Sequence, residues 1–415
     1  MSKYIITGLN KLHGVYCPSG AKNAAIKMIA ASILTPEKII LKNCPNISDT
    51  LSIIQLIEGL GARVKFEKNI AEIDPSNITH FYPNDEISQK IRASVALVGP
   101  LLGRFKQAKI IHPGGCLIGN RPLDSTFSVL KQFGVKIKTQ GKHYILNAKN
   151  LTGKIVVLPE MSVSATETAI LTSVLAKGKT QIRVAAIEPE IIDLMKLLNK
   201  MGAKIHGIGK HTINIIGVKK LHKAEHKIIS DRIEIGTLVC ASLATNSQIS
   251  IKNVCEEHLD NFLIRIKNMG GIIRFKKNDL HVYPSRLNAI KLDTRPFPGF
   301  PTDLQSPIAA LMTQAEGTSR IFETLYEGRF NYINELNKMG AKTRVINDYI
   351  VEISGKTKLI GRNLECTDLR AGAALVISGL IAKGKTVINN IELIERGYEE
   401  FDEKLRKIGA KIIKC

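Results

Sequence analysis

Residues 201–205 read Met201-Gly202-Ala203-Lys204-Ile205, and five closely related pentapeptides recur along the chain. Their shared glycines lie 68 to 73 residues apart, which is too regular for chance. Each glycine follows an amphipathic helical pattern and precedes a short β-like run. We therefore expect each one to be the left-handed residue that ends a helix, with a strand after it. The six positions are Gly61, Gly134, Gly202, Gly270, Gly340 and Gly409.

A second pattern alternates with the first. Ala-rich apolar runs end in a turn that leads into a strand, and residues 176–182 closely match residues 382–388. Residues 165–176 are apolar almost all round, which predicts a helix buried inside its unit. Each copy is thus predicted to contain a buried helix, a strand, an amphipathic helix and a β-hairpin.

Six copies of about 70 residues predict an α/β protein of two domains, with three copies in each domain and a cleft between the domains. The boundary is expected near residues 228–232, where the third copy ends. Residues 1–20 precede the first buried helix and add one or two strands. The repeat alone leaves open which domain these strands join.

The composition limits the compartment and the class of partner. The 415 residues are 44% hydrophobic and 23% charged, as in an ordinary soluble protein. The N-terminus lacks the apolar run of a signal peptide, and no apolar stretch approaches the length of a membrane span, so we expect a cytoplasmic protein. The net charge of +22 suits nucleic acid, an anionic membrane surface or anionic small substrates. Because the lysines are dispersed, a generally Lys-rich surface is an equal alternative.

The seven cysteines are scattered and form no CxxC pair. This argues against a disulfide framework or a zinc site and for reduced thiols, most of them inert core residues such as Cys240. Cys116 differs, because it lies in the glycine-rich segment 112–125 with Arg121 five residues later. A thiol near cations can act as an acid or nucleophile. The same segment also fits a surface turn with an incidental cysteine.

Five motifs in the right order resemble those of one family. They are Ser19-Gly20-Ala21-Lys22-Asn23-Ala24-Ala25, the Cys116 segment, Ser162-Val163-Ser164-Ala165-Thr166, Pro301-Thr302-Asp303-Leu304-Gln305 and Glu395-Arg396-Gly397-Tyr398. Together they resemble the MurA-type enolpyruvyl transferases, the UDP-N-acetylglucosamine 1-carboxyvinyltransferases. The resemblance covers essentially the whole chain.

The resemblance implies a fold and a reaction. The fold is two inside-out α/β domains of the EPSP-synthase type, each with pseudo-threefold symmetry. The domains would be residues 21–229 and residues 1–20 plus 230–415, with the active site in the cleft between them. The implied reaction moves the enolpyruvyl group of phosphoenolpyruvate to the 3′-hydroxyl of UDP-N-acetylglucosamine and releases phosphate. It needs no metal or organic cofactor, and it implies small-molecule substrates rather than nucleic acid.

The resemblance also assigns roles to residues. Cys116 would be the general acid, which forms a covalent adduct with phosphoenolpyruvate and is alkylated by fosfomycin; Asp303 would be the base, and Lys22 a third catalytic residue. Phosphoenolpyruvate would be bound by Lys22, Asn23, Arg121, Arg329, Arg370 and Arg396. UDP-N-acetylglucosamine would be bound by Asn23, Arg92, Arg121, Pro122, Leu123, Asp124, Ser125, Ser162, Val163, Asp303 and Leu325.

Simpler interpretations stand beside these roles. Lys22 also fits a solvated lysine in a helix's first turn, and Arg92 a structural arginine in an ion pair. Asp124 and Asp303 also fit helix N-caps. Glu160 stands where many relatives have a lysine that meets the diphosphate, so that contact is in doubt.

Two other functions remain open. The sister enzyme that acts on shikimate 3-phosphate shares the fold and the repeat. A nucleic-acid-binding or regulatory paralogue without catalysis would fit the basic surface. The joint presence of Lys22, Cys116, Asp303 and Arg396 argues against that loss.

Overall fold

All six repeat glycines end a helix in the left-handed conformation. Their φ angles lie between 82° and 111°. In each copy the glycine amide and the next amide donate back to the last helical turn, as in Gly202 to Asn199 O (3.0 Å) and Ala203 to Leu198 O (2.9 Å). This pair of hydrogen bonds is the Schellman motif. The helix ends predicted from the sequence are confirmed in every copy.

The computed structural model describes residues 2–90, 92–112 and 123–415, without the side chains of residues 90, 92 and 93. Within this part of the chain there are thirteen α-helices. They are α1 (Lys22–Ala31), α2 (Ser48–Gly59), α3 (Asp85–Lys90), α4 (Val98–Phe105), α5 (Asp124–Gln132), α6 (Val163–Ser173), α7 (Pro189–Lys200), α8 (Arg232–Ala244), α9 (Asp260–Asn268), α10 (Gln305–Met312), α11 (Tyr332–Lys338), α12 (Leu369–Ile381) and α13 (Phe401–Lys407). Short 3-10 turns lie at Ser32–Leu34, Arg92–Leu97, Glu256–His258, Thr302–Leu304 and Ile391–Leu393.

The same residues contain 23 strands. They are β1 (Lys3–Thr7), β2 (His13–Tyr16), β3 (Ile39–Lys42), β4 (Arg63–Glu67), β5 (Ile70–Asp74), β6 (Gln107–Ile111), β7 (Lys136–Gln140), β8 (His143–Asn147), β9 (Ile155–Val157), β10 (Lys179–Arg183), β11 (Lys204–His206), β12 (Thr212–Ile216), β13 (Ala224–Lys227), β14 (Gln248–Ile251), β15 (Ile272–Lys276), β16 (Asp279–Tyr283), β17 (Lys291–Asp293), β18 (Gly317–Phe322), β19 (Lys342–Asn347), β20 (Ile350–Gly355), β21 (Asn363–Glu365), β22 (Lys385–Asn389) and β23 (Lys411–Lys414).

These elements form six sheets in the described chain, five with four strands and one with three. In five of these sheets the strand after a buried helix pairs antiparallel with the second strand of the following hairpin, as β10 does with β12. In all five four-stranded sheets its other neighbour is parallel; for β10 this neighbour is β9. The strand orders are β13-β3-β5-β4, β6-β8-β7, β11-β12-β10-β9, β15-β16-β14-β2, β17-β18-β20-β19 and β21-β22-β1-β23.

The sixth copy departs from the predicted pattern. After Gly409 the structure has one strand, β23, instead of a hairpin. Its antiparallel partner is the N-terminal strand β1, which lies between β22 and β23 with Ile5 opposite both Val387 and Ile413. The chain therefore completes its last sheet with its first strand. The second N-terminal strand, β2, pairs in parallel with β14.

The helices inside each copy are apolar and buried. Every residue of α8 and α10 is buried, and so are residues 369–380 of α12. In α6 residues 165–173 are buried, as the apolar pattern predicts. The second copy differs slightly, because its buried segment starts as the 3-10 turn Arg92–Leu97 before it continues as α4.

The chain divides into two compact units. One, here the 20–229 unit, consists of the described residues between Gly20 and Ile229. The other, here the 230–415 unit, also contains residues 2–19. Each unit holds three copies, three sheets and one apolar core around its buried helices. The predicted α/β class is confirmed.

Candidate active site

A carboxylate and two guanidinium groups meet at Asp303 in the 230–415 unit. Nη2 of Arg329 donates a hydrogen bond to Oδ1 of Asp303 at 2.7 Å. Nε and Nη2 of Arg370 donate to Oδ2 at 3.2 and 3.1 Å. Both arginine side chains are about 95% buried, whereas Asp303 keeps 27% of its side-chain surface exposed. The carboxylate is thus held from behind by two buried cations and still reaches solvent.

The turn before α10 places this carboxylate. Pro301 is the N-cap of the 3-10 turn Thr302–Leu304, and the α-helix then begins at Gln305. The interpretation of Asp303 as the N-cap of this helix is wrong, because Leu304 occupies that position. The Asp303 side chain contacts arginines instead of the amides of its own helix.

Arg370 lies in the first turn of α12, where its charge opposes the helix dipole. The side chain of Asp368 caps this helix by accepting the amides of Arg370 (2.8 Å) and Ala371 (2.9 Å). A buried cation at a helix N-terminus needs a further anion nearby. Asp303 supplies that anion, which gives a physical reason for the pair.

Both arginines stay protonated in this environment. Burial by itself lowers the pKa of a guanidinium, but the Asp303 carboxylate and other acidic neighbours raise the pKa of Arg329 and Arg370 above the usual value. The Tyr398 ring lies 5.4 Å from Cζ of Arg370. Burial, partly offset by Arg370, raises the pKa of Tyr398 to about 12, so its hydroxyl is neutral at physiological pH.

Two more predicted residues belong to this unit. Leu325 follows β18, and its amide donates to Oε1 of Glu323 at 3.0 Å. Arg396 is partly buried between the 3-10 turn Ile391–Leu393 and α13. The structure thus brings Asp303, Arg329 and Arg370 into direct contact and joins Leu325 to them through Glu323.

Lys22 and Asn23 open α1 in the 20–229 unit, as predicted. The N-cap residue is Ala21, whose side chain offers no acceptor to the first amides of the helix. Nζ of Lys22 forms an ion pair with Oδ2 of Asp49 at 2.8 Å, and Asn23 is exposed. Lys22 is therefore more than a solvated lysine, because its ammonium group is held beside a helix N-terminus. Such an arrangement suits an anionic ligand.

One hydrogen bond joins two segments of this unit that carry predicted nucleotide-binding residues. Oγ of Ser125 donates to Oε1 of Glu160 at 2.6 Å, which connects the start of α5 with the segment before α6. Ser162 is the N-cap of α6, and its Oγ accepts the Ala165 amide at 3.4 Å. Val163 is the first residue of α6, and Leu123 immediately precedes α5.

Asp124 is the first residue of α5, and Leu123 is the N-cap. The interpretation of Asp124 as the N-cap is therefore wrong. Glu160, which stands where many relatives have a lysine, has a local partner: its carboxylate accepts a hydrogen bond from the Ser125 hydroxyl.

Four predicted residues have no described side chain. Cys116, Arg121 and Pro122 lie outside the described residues. Arg92 begins the 3-10 turn of the second copy, and its side chain lies outside the description. Their roles stay predictions from the resemblance.

Sequence reasoning missed Thr302, Glu323 and Asp49. Glu323 is completely buried and directly follows β18, and Asp49 is 4% exposed. The signal for Glu323 was a carboxylate placed immediately after the β-like run that ends in Ile321-Phe322, between two motif segments. Burial of such a group usually requires several hydrogen-bond donors.

The described residues contain no group of three or more His, Cys, Asp or Glu side chains suited to hold a metal ion. Among the same residues no helix is both long and apolar enough to cross a membrane.

The chain matches known proteins over nearly its whole length. The family model described as EPSP synthase (3-phosphoshikimate 1-carboxyvinyltransferase) matches residues 6–405. A protein of Halothermothrix orenii named UDP-N-acetylglucosamine 1-carboxyvinyltransferase is 43% identical over 417 aligned residues, covering 100% of both chains. A Listeria monocytogenes protein named UDP-N-acetylglucosamine 1-carboxyvinyltransferase 2 is 42% identical and covers 99% of this chain and 97% of its own.

Solved structures show the same fold. The enolpyruvyl transferase NikO of Streptomyces tendae superposes with a TM-score of 0.90 at 24% identity, covering 100% of this chain and 98% of NikO. An EPSP synthase of Acinetobacter baumannii superposes with a TM-score of 0.76 at 18% identity, covering 100% of both chains. The resemblance and the EPSP-synthase-like fold inferred from the sequence are thereby confirmed. The family model matches residues 6–405, and the relatives are more than 40% identical over their full length. This chain therefore belongs to the EPSP synthase family.

Proposed function

We propose that this chain transfers the enolpyruvyl (carboxyvinyl) group of phosphoenolpyruvate to the 3′-hydroxyl of UDP-N-acetylglucosamine. Inorganic phosphate is released, and the product is committed to peptidoglycan synthesis. The observation that carries the proposal is the 43% identity, over the complete chain, with a protein named for this activity. The EPSP synthase structure with the same fold is only 18% identical, which favours a sugar-nucleotide acceptor over shikimate 3-phosphate.

The first half of the reaction is an addition across the enol double bond. Asp303 takes the proton of the 3′-hydroxyl while that oxygen bonds to C2 of phosphoenolpyruvate. Cys116 gives a proton to C3, and the methylene carbon becomes a methyl group. A base and an acid at these two atoms are what the addition requires.

The second half is an elimination. A proton leaves the new methyl group, the bond from C2 to the phosphate oxygen breaks, and the double bond forms again. The electrons of the broken bond leave with the phosphate, so no oxidant or metal is needed for the balance. The proton transfers of the first half run in reverse.

The anionic groups of both substrates need cations and helix N-termini. For phosphoenolpyruvate we propose Lys22 and Asn23 at the start of α1, together with Arg121, Arg329, Arg370 and Arg396. For the sugar nucleotide we propose Asn23, Arg92, Arg121, Pro122, Leu123, Asp124, Ser125, Ser162, Val163, Asp303 and Leu325. The contact of Ser125 with Glu160 supports the grouping of the segments at 123–125 and 162–163.

We also propose the setting of the reaction. Residues 21–229 form one domain, and residues 1–20 with 230–415 form the other. The thiols of Cys17 and Cys255 are exposed and outside disulfides, which fits a reducing compartment, and we place the enzyme in the cytoplasm. Its partners are the two small-molecule substrates and not nucleic acid.

The test is phosphate release by the purified protein. We expect release that requires both phosphoenolpyruvate and UDP-N-acetylglucosamine, and a product whose mass equals the sugar nucleotide plus the enolpyruvyl group. Shikimate 3-phosphate in place of the sugar nucleotide is the matched control, and it should support no release. Phosphate release from phosphoenolpyruvate with only shikimate 3-phosphate as acceptor, or with no acceptor, would overturn the proposal.

A further inference from the structure

The carboxylate of Glu323 is completely buried and accepts three hydrogen bonds. Oε1 accepts the hydroxyl of Thr294 at 2.8 Å and the amide of Leu325 at 3.0 Å. Oε2 accepts the hydroxyl of Thr302 at 2.8 Å. Glu323 thus connects the strand end after β18 to the turn that carries Asp303. It has no role in the reaction steps given above.

The Thr302 hydroxyl transmits this contact toward Asp303. It donates its hydrogen to Glu323 and accepts a hydrogen bond from Nη1 of Arg329. A carboxylate only accepts and a guanidinium only donates, so the direction of both bonds is fixed. Nη2 of the same arginine donates to Oδ1 of Asp303 at 2.7 Å. A continuous chain of hydrogen bonds therefore runs from Glu323 through Thr302 and Arg329 to Asp303.

The charges of Glu323, Arg329 and Asp303 support the same chain of hydrogen bonds. An ionised carboxylate removed from water must be compensated by donors or cations. Glu323 has its three donors and lies close enough to Arg329 to raise the pKa of that guanidinium, together with Asp303 and against the effect of burial. The single cation of Arg329 is thus shared by a buried carboxylate and a partly exposed one.

We propose that Glu323 is a positioning residue for the transfer reaction, which orients Arg329, and through it Asp303, and fixes the backbone at Leu325. The inference rests on the proposed function. Its physical basis is that both Glu323 oxygens must be acceptors. In Glu323→Gln one oxygen becomes an amide donor, so the side chain can no longer accept from the Thr302 hydroxyl and from the Leu325 amide at the same time.

The experiment compares four variants in the phosphate-release assay. Glu323→Gln and Thr302→Val each break the chain and should lower kcat by about 100-fold, the effect of misplacing a reacting group by about 1 Å. Thr302→Ser keeps the hydroxyl and should retain at least about half of the wild-type kcat, because its donor and acceptor are preserved. The double variant Glu323→Gln/Thr302→Val should lose no more than about twofold beyond either single variant, because both break the same chain.

Glu335→Gln is the matched control. Glu335 is also a buried carboxylate of this unit, and it accepts the amide of Glu365 at 3.0 Å and Nζ of Lys338 at 2.6 Å. It lies in α11, outside the proposed site. This variant should lose thermal stability and keep its kcat.

Several results would overturn the inference. Glu323→Gln with lowered thermal stability and wild-type kcat would make Glu323 a structural residue only. A double variant whose losses multiply would show that Glu323 does not act through Thr302.

Failure of the proposed function is recognised separately, since the wild type would then release no phosphate. In that case crystal structures of the wild type and Glu323→Gln decide the positioning claim. We expect the contact between Thr302 and Arg329 to be lost in the variant. An unchanged contact would refute the claim.

Discussion

Arg370 donates two hydrogen bonds to a single oxygen of Asp303, from Nε at 3.2 Å and from Nη2 at 3.1 Å. A general base must be ionised and correctly oriented before it accepts a proton. An adjacent guanidinium favours the ionised form of a carboxylate, and two donors on one oxygen restrict its rotation. The other oxygen contacts Arg329, so the geometry of Asp303 is set by the protein before any substrate arrives.

Asp303→Asn should lower kcat by about 1000-fold, within the range that general base catalysis supplies. The amide keeps the shape of the side chain but cannot take the hydroxyl proton. UDP-N-acetylglucosamine should still bind within a few-fold of the wild-type Kd, measured by calorimetry. Asp293→Asn, which changes a more exposed carboxylate of the same unit, is the control and should keep full activity. A rate for Asp303→Asn above a tenth of wild type would refute the base role.

Cys116→Ser should abolish turnover and fosfomycin inactivation while UDP-N-acetylglucosamine still binds, because a hydroxyl is a far weaker acid than a thiol. Cys116→Asp should keep turnover but resist fosfomycin, because a carboxyl group can give a proton but is not a thiolate nucleophile. Cys255→Ser removes an exposed thiol and should remain fosfomycin-sensitive. Phosphate release with and without fosfomycin preincubation measures the active variants, and the intact mass after fosfomycin treatment shows whether Cys116→Ser is still alkylated. The acid role fails if Cys116→Ser keeps the full rate.

Glu160→Lys should lower the KM for UDP-N-acetylglucosamine by about fivefold, equivalent to ~1 kcal/mol for a partly exposed ion contact. The change places a cation near the proposed diphosphate position and removes the carboxylate that accepts Ser125. Glu160→Gln should lie between the two. Salt screens exposed charges over about one Debye length, which shortens as the salt concentration rises. The gain should therefore shrink between about 0.05 and about 0.5 M salt. The KM for phosphoenolpyruvate is the internal control, and a raised sugar-nucleotide KM would show that the Ser125 contact matters more.

Lys27→Met should destabilise the protein by about 3–5 kcal/mol, because it leaves a buried carboxylate without its partner. Nζ of Lys27 lies 2.6 Å from Oε2 of Glu167, whose side chain is 3% exposed. Burial already raises the pKa of Glu167, and Lys27 opposes that rise. In the variant the pKa rises further, so the native state binds a proton at higher pH than the unfolded state does.

The destabilisation by Lys27→Met should therefore be greatest above the native pKa of Glu167. It should shrink as the pH falls through that pKa toward the unfolded value of about 4.3. Denaturant unfolding across this pH range measures the effect. Lys38→Met removes the more exposed pair with Glu72 and should destabilise the protein far less, because solvent screens an exposed ion pair. Equal losses in the two variants would contradict the argument.

Much of the fold follows from local patterns. The glycine at each helix end is readable because the Schellman hydrogen bonds join residues only three to five positions apart. The buried helices are readable because an all-apolar helix such as α8 has no face suited to water. The prediction failed at the last copy, where β1 takes the place of a hairpin strand. Consecutive strands usually pair, but a strand distant in sequence can take a free sheet edge, as β1 does here.

By itself the sequence determined the six copies, their helix ends, the α/β class and the motifs that carry the family resemblance. Each of these features depends on residues that are close together in the sequence. Only the tertiary structure decided that Asp303 contacts arginines 26 and 67 positions later instead of capping its own helix. It also decided that Glu323 is buried behind them. The physical reason is that a charged side chain takes the partners that packing brings within hydrogen-bond distance, and that distance is unrelated to separation along the chain.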